Sequence, residues 1–190
     1  MPSLPRALLQ ARVLNEVQEA RKKTHHIILM DDPEVRSFPA TLNVTLRGAP
    51  GPIRKNGQVV QTTTHRLRIQ LTQDYPYQKP IVQWMSEIFH PNIMTYSEGG
   101  FVCTRFLEQW SWTSTLSDFL RALEGLLLAP KPKVPYATCI CREASAYFLA
   151  LEKESNDLVV QQHYRTIIRH VFEVLREVQI PLEASAPEPR

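Results

Sequence analysis

Apolar residues recur at helical spacing near the start of the chain, at a spacing of two through its middle, and at helical spacing again towards its end. Leu9, Val13, Val17 and Ala20 lie three or four apart, which places them on one face of a helix. Ser3 is positioned to cap it, Pro5 suits its first turn, and the basic run Arg21-Lys22-Lys23 suits the negative end of its dipole. From about residue 25 to residue 89 the period falls to two. Leu42, Val44 and Leu46 alternate with polar residues, as do Leu67, Ile69 and Leu71. Gly48, the cluster Pro50-Gly51-Pro52 and the pair Asn56-Gly57 punctuate this stretch, so an antiparallel meander turning at those points is predicted. After the turn-rich segment from Asp74 to Pro80, Ile81–Met85 predicts one more strand.

Between Ser86 and Thr115 no period survives, yet the segment holds His90-Pro91-Asn92, Gly99-Gly100, Cys103 and Trp110-Ser111-Trp112. Loops that gather such residues tend to carry chemistry. Helical spacing resumes behind Thr115, a plausible cap with Asp118 three residues on, and Leu116, Leu120, Leu123 and Leu127 line one face up to Ala129-Pro130. Beyond the turn from Pro130 to Pro135, two further helical stretches are predicted, one through Ala144, Phe148 and Leu151, the other through Val160, Tyr164, Ile167, Val171, Val174 and Val178. Helix, meander, loop and helices in that order make an α+β protein with its helices packed on one face or end of the sheet.

Composition changes this picture only a little. With 190 residues, 43% of them apolar, one domain with a single core is the expectation, spanning 1–181, with 182–190 as a disordered tail. Twenty-two basic against 19 acidic residues leave a formal charge of +3, too small and dispersed to argue for nucleic acid. No stretch reaches the roughly 18 apolar residues of a membrane span, and the first residues lack the build of a secretory signal, so a cytoplasmic protein is expected. Three cysteines, two of them close together at Cys139 and Cys141, fit reduced thiols rather than a disulfide framework. That pair, without further Cys or His at ligand spacing, is poor evidence for a metal.

Tyr75-Pro76, Pro80, His90-Pro91-Asn92-Ile93, Gly100-Phe101-Val102-Cys103, Trp110-Ser111 and Pro130-Lys131-Pro132, taken in order, resemble the signature of ubiquitin-conjugating enzymes, over roughly residues 4 to 150. Glu143-Ala144-Ser145-Ala146-Tyr147 is similar to the helix that follows the loop in that family. The resemblance implies a ubiquitin-conjugating-enzyme-like fold and an acyltransferase that needs no cofactor. Cys103 would accept a ubiquitin-like modifier from an activating enzyme as a thioester and surrender it to an acceptor amine. Asn92 matches the residue whose amide steadies the oxyanion of that transfer, and His90 reads chiefly as a structural hydrogen-bonder beside it.

Partner surfaces follow from the same likeness. The activating enzyme and ligases would meet Arg6, Arg12, Arg21 and Lys22 on the first helix, Tyr77 in the Tyr-Pro loop, and Trp112 beside Trp110. This chain also departs from the family. Met94 to Gly99 is a few residues longer than usual, which bears on the reach of the Asn92 amide. Trp112 stands where Pro is common and Cys141 near a common Asn, while the segment around Val134 lacks the carboxylate often found there. Arginine outnumbers lysine, and with the likeness trimmed to its core residues this points towards a bacterial relative of the kind found in antiviral operons. The alternative reading is a catalytically weak or inactive variant that serves as a modifier- or partner-binding module, although such variants usually lack the cysteine.

Overall fold

A computed structural model describes residues 3–23, 27–30, 35, 37–130, 141–154 and 168–169. Its elements are α1 (Arg6–Lys23), β1 (Ile27–Met30), β2 (Ala40–Lys55), β3 (Gln58–Leu71), β4 (Ile81–Trp84), a 3-10 turn (Tyr96–Glu98), α2 (Arg105–Glu108), α3 (Leu116–Leu128) and α4 (Arg142–Glu154). The chain falls into two compact units, Met1–Lys153 and Glu154–Arg190. All of these elements belong to the first unit except the last residue of α4. The predicted stretch from Val160 to Val178, apart from Ile168 and Arg169, lies outside the described residues. So do the tail and the segment from Lys131 to Ile140.

The four strands pair antiparallel in sequence order, which is the predicted meander. Alternation sorts its faces: Leu42, Val44, Leu46, Leu67, Ile69, Leu71, Val82 and Trp84 are buried on one side. Against that side pack α1, through Leu9, Val13, Val17 and Ala20, and α3, through Leu116, Phe119, Leu120, Leu123 and Leu127. Burying each of the Val, Leu, Ile and Phe side chains contributes about 1.5–3 kcal/mol, and this two-layer core holds the fold. Helix α1 begins at Arg6, one residue beyond Pro5, whose carbonyl accepts the Leu9 N–H at 3.0 Å. Thr115 caps α3 by accepting the Asp118 N–H at 3.1 Å.

One turn lies where the sequence puts it, and one does not. Asn56 and Gly57, at φ 51° and 78°, form the two-residue link between β2 and β3. Gly48 and Pro50-Gly51-Pro52, expected to turn the chain, instead lie within β2. Arg47 pairs with Thr64 and Gly51 with Thr62, so three residues of β2 oppose one of β3 in an irregular bulge. Gly48 takes φ 84° there, and the bulge accommodates Pro50, which has no N–H for the ladder. Gly51 also makes room for the core: a β-carbon on it would stand 2.7 Å from His65 Nε2 and 3.0 Å from Leu127 Cδ2.

A buried carboxylate ties the layers together. Glu16 sits on the inner face of α1, where it accepts Arg12 Nε at 2.7 Å, the Leu116 N–H at 2.9 Å and the Tyr75 hydroxyl. Burial, then the neighbouring Glu16 charge and hydrogen bond, push the Tyr75 phenol above its ordinary range, so it stays protonated and donates. Glu16→Ala would leave that hydroxyl, the Leu116 N–H and the Arg12 Nε–H without their acceptor. We expect it to cost about 3–5 kcal/mol in denaturant unfolding; a loss under about 1 kcal/mol would show the network to be dispensable.

Candidate active site

The loop after β4 is built as a folded-back ribbon. Trp84 N–H donates to Gly100 O at 2.7 Å and Met94 N–H to Phe101 O at 2.9 Å, while Gln83 pairs with Phe101 and Ile93 with Val102. Gly100, at φ 66°, lies so close to β4 that a β-carbon would approach the Trp84 carbonyl oxygen to 2.4 Å. The residues between these pairs form a closed excursion. Gly100 N–H donates to Thr95 O at 2.9 Å, and Thr95 gives its hydroxyl to Glu98 Oε2 at 2.7 Å across the 3-10 turn. Met94 to Gly99 are thereby closed off aside from the main ribbon, and Cys103 N–H donates to Asn92 O at 2.8 Å. The two residues singled out for chemistry stand on directly paired backbone.

Each neighbour of that pair has its own anchor. Thr104 follows Cys103 and caps α2, accepting the Leu107 N–H at 3.1 Å; nothing in the sequence periodicity marks this four-residue helix. On the other side Cys141 N–H donates to Pro91 O at 3.3 Å, which brings the start of α4 against His90-Pro91-Asn92. Cys103 is 7% exposed and Asn92 5%. His90 accepts the Asn92 N–H on Nδ1 at 3.0 Å, and its Nε2 must then carry the proton it shares with Leu126 O at 2.9 Å. Both ring nitrogens are thus engaged in holding the loop to α3. The Asn92 side chain, by contrast, has its Oδ1 buried without a hydrogen-bond partner.

Burial, reinforced by the nearby His65 and opposed by the Leu126 carbonyl, lowers the His90 pKa to about 4. His65, whose ring lies tilted against Trp84 with centroids 5.2 Å apart, is likewise lowered to about 4 by burial. The carbonyls of Ala49 and Thr62 oppose that shift only weakly, since neither His65 nitrogen makes a well-formed hydrogen bond. On unfolding both rings regain a value near 6.5, so below that pH the unfolded chain binds more protons than the folded one. Their contribution to stability is complete above pH 6.5 and is lost as pH falls towards 4, by at most roughly 3 kcal/mol for each ring. Urea midpoints should therefore fall from about pH 7 to about pH 5, and His65→Leu should lose about half of that dependence. An unaltered pH profile in this variant would show that the shift lies elsewhere.

A family model described as ubiquitin-conjugating enzyme matches residues 12–155, well over half of the chain. The chain belongs to the ubiquitin-conjugating enzyme family. Among its relatives is ubiquitin-conjugating enzyme E2 27 of Arabidopsis thaliana, 31% identical over 136 residues, covering 70% of this chain and 65% of that protein. Ubiquitin-conjugating enzyme E2 3 of the same plant is 33% identical over 98 residues, or 52% of this chain and 61% of the relative. The chain thus spans less than two thirds of the length of either. S. cerevisiae Ubc12 shares the fold at a TM-score of 0.56 and 22% identity, over 74% of this chain and 70% of that one. A Toxoplasma gondii ubiquitin conjugating enzyme E2 domain does so at 0.54 and 24%, over 81% and 92%.

The expected docking residues of this conjugating-enzyme chain fall into two groups. Arg6, Arg21, Lys22, Tyr77 and Trp112 are exposed, Tyr77 by 43% and Trp112 by 62%. Arg21 also reaches Met30 O at 2.6 Å, which ties the end of α1 to β1. Arg12 is turned inwards. Besides Glu16 it donates to Trp112 O at 3.0 Å and Ser114 O at 3.1 Å, and its guanidinium lies 5.8 Å from the Tyr75 ring centroid. It therefore holds the Trp-Ser loop to α1, with Trp110 Nε1 fastening the same loop to Pro76 O at 2.9 Å. Among the described residues no helix is long and apolar enough to cross a membrane, and no group of acidic, His and Cys side chains could hold a metal ion.

Proposed function

We propose that the chain accepts a ubiquitin-like modifier from an activating enzyme as a thioester on Cys103 and passes it to an acceptor amine. The observation that supports this reading is the Cys103 N–H to Asn92 O hydrogen bond of 2.8 Å, which pairs the backbones of the two residues. In loading, the Cys103 sulfur attacks the modifier's C-terminal carbonyl and the activating enzyme's thiol leaves. In transfer, an amine attacks the same carbonyl, its proton is lost, and the Cys103 thiolate departs as the amide forms. Each step passes through an oxyanion, and we assign the Asn92 side-chain amide to the one formed in transfer.

His90 takes no proton in this scheme. Its two nitrogens are engaged with the Asn92 N–H and Leu126 O, and a ring held neutral down to about pH 4 serves to position Asn92. Arg6, Lys22, Tyr77 and Trp112 are proposed to face the activating enzyme and a ligase, with the inward Arg12 shaping that surface. The test is incubation of the chain with candidate activating enzyme, ATP and modifier, read on a non-reducing gel. Failure of every active pairing to give a thiol-sensitive adduct, with the chain folded, would favour a binding module instead.

A further inference from the structure

We infer that Arg54 is a positioning residue for amine transfer: it clamps the first turn of α4 against the loop of Cys103, on the side where the acceptor amine arrives. This rests on the reading of Cys103 given above. Arg54 lies near the end of β2, opposite Val59, and its guanidinium is shared between two partners. Its Nη1 forms an ion pair with Glu143 Oε1 on the first turn of α4, and its Cζ lies 4.1 Å from the centroid of the Phe89 ring. Phe89 immediately precedes His90-Pro91-Asn92, and its N–H donates to Pro52 O at 2.8 Å. Tyr147, one turn along α4 from Glu143, meets the Phe89 ring edge-on at 5.6 Å. One side chain therefore joins β2, the residue that leads into the loop, and the helix that packs beside it.

The clamped helix reaches the chemistry through backbone. Cys141 N–H donates to Pro91 O at 3.3 Å and Cys103 N–H to Asn92 O at 2.8 Å, so the start of α4 and Cys103 hang from consecutive carbonyls. Cys141 O in turn accepts the Ser145 N–H at 2.9 Å, which joins the first turn of α4 to that anchor. The Glu143 side chain is 70% exposed, and an ion pair so open to water adds little to folding stability. The clamp also lines an open cleft of about 460 Å³ with Glu87, Tyr96 and Ser97, so its loss leaves no buried void. Its use lies in direction: a planar guanidinium stacks on Phe89 while its edge meets a carboxylate, which an ammonium does less well. Loading does not depend on this, because the attacking sulfur already stands on the loop. In transfer a lysine must bring a long side chain alongside α4 and be held there while it loses its proton, so it feels a displaced helix.

The test uses the full chain charged with modifier and follows single-turnover discharge to lysine and to hydroxylamine, with loading and thermal unfolding measured in parallel. Hydroxylamine is small and already largely neutral at neutral pH, so it needs little positioning. Arg54→Ala should discharge to lysine about five- to tenfold more slowly, the size expected for losing a surface ion pair and a cation–π contact together. Its hydroxylamine discharge, loading and melting temperature should stay close to the parent's. Arg54→Lys, which keeps the charge but not the planar stack, should fall between the two. Glu143→Ala added to Arg54→Ala should slow lysine discharge little further, since the pair acts as one. Equal slowing towards both nucleophiles with a lowered melting temperature would make Arg54 a structural tie, and lysine discharge of Arg54→Ala at the parent's rate would remove its role. Either result overturns this inference and leaves Cys103 its thioester; a folded parent that takes no modifier overturns the reading beneath it, and this inference with it.

Discussion

Loading of the chain by an activating enzyme, ATP and modifier is expected to give an adduct that survives a non-reducing gel, collapses with added thiol, and is absent from Cys103→Ala. Cys103→Ser should either fail to load or hold the modifier as an oxyester that thiol no longer releases. The argument is chemical as well as positional. Only a thiolate is both nucleophilic enough to take an acyl group at neutral pH and a good enough leaving group to return it to an amine. Of the two cysteines in the described residues, Cys103 lies on backbone paired with Asn92, while Cys141 pairs through its own backbone with Pro91. That proximity makes Cys141→Ala the informative control, and it should load as the parent does. Retained thioester in Cys103→Ala, with loss in Cys141→Ala or Cys139→Ala, would move the site.

Much of this architecture is legible in the sequence because local and global preferences agree there. Asn56-Gly57 turns the chain because both residues tolerate positive φ, and the alternation of Leu67, Ile69 and Leu71 sets their face of β3 inwards. Pro50-Gly51-Pro52 misleads because a proline-rich turn and a proline-bearing bulge have the same composition, and only pairing with β3 distinguishes them. Glu16 and His65 are hidden for a related reason. Each is a polar residue on an inward position, which a hydrophobic pattern passes over, and their burial depends on partners far along the chain. The loop signature at His90, Asn92 and Cys103 can be recognised, but the closing of the longer excursion cannot. It depends on Trp84 and Gly100 meeting across the edge of β4, a contact no local pattern encodes.

Asn92→Ala is expected to load normally and to discharge to an amine on the order of a hundredfold more slowly than the parent, the typical cost of losing one oxyanion donor. A catalytic and a purely structural role predict different losses. The loop is held by backbone and by His90: Asn92 N–H donates to His90 Nδ1 at 3.0 Å, and Asn92 O accepts the Cys103 N–H at 2.8 Å. Both bonds survive truncation of the side chain, whose Oδ1 has no partner to lose. The melting temperature of Asn92→Ala should therefore stay close to that of the parent. Loading also forms a tetrahedral intermediate, but there a thiolate attacks, whereas discharge needs an amine that must shed a proton and depends more on a donor. Single-turnover discharge of the charged protein, with loading and thermal unfolding measured in parallel, decides the matter. Unchanged discharge with a lowered melting temperature would make Asn92 a loop residue and leave the oxyanion to another donor.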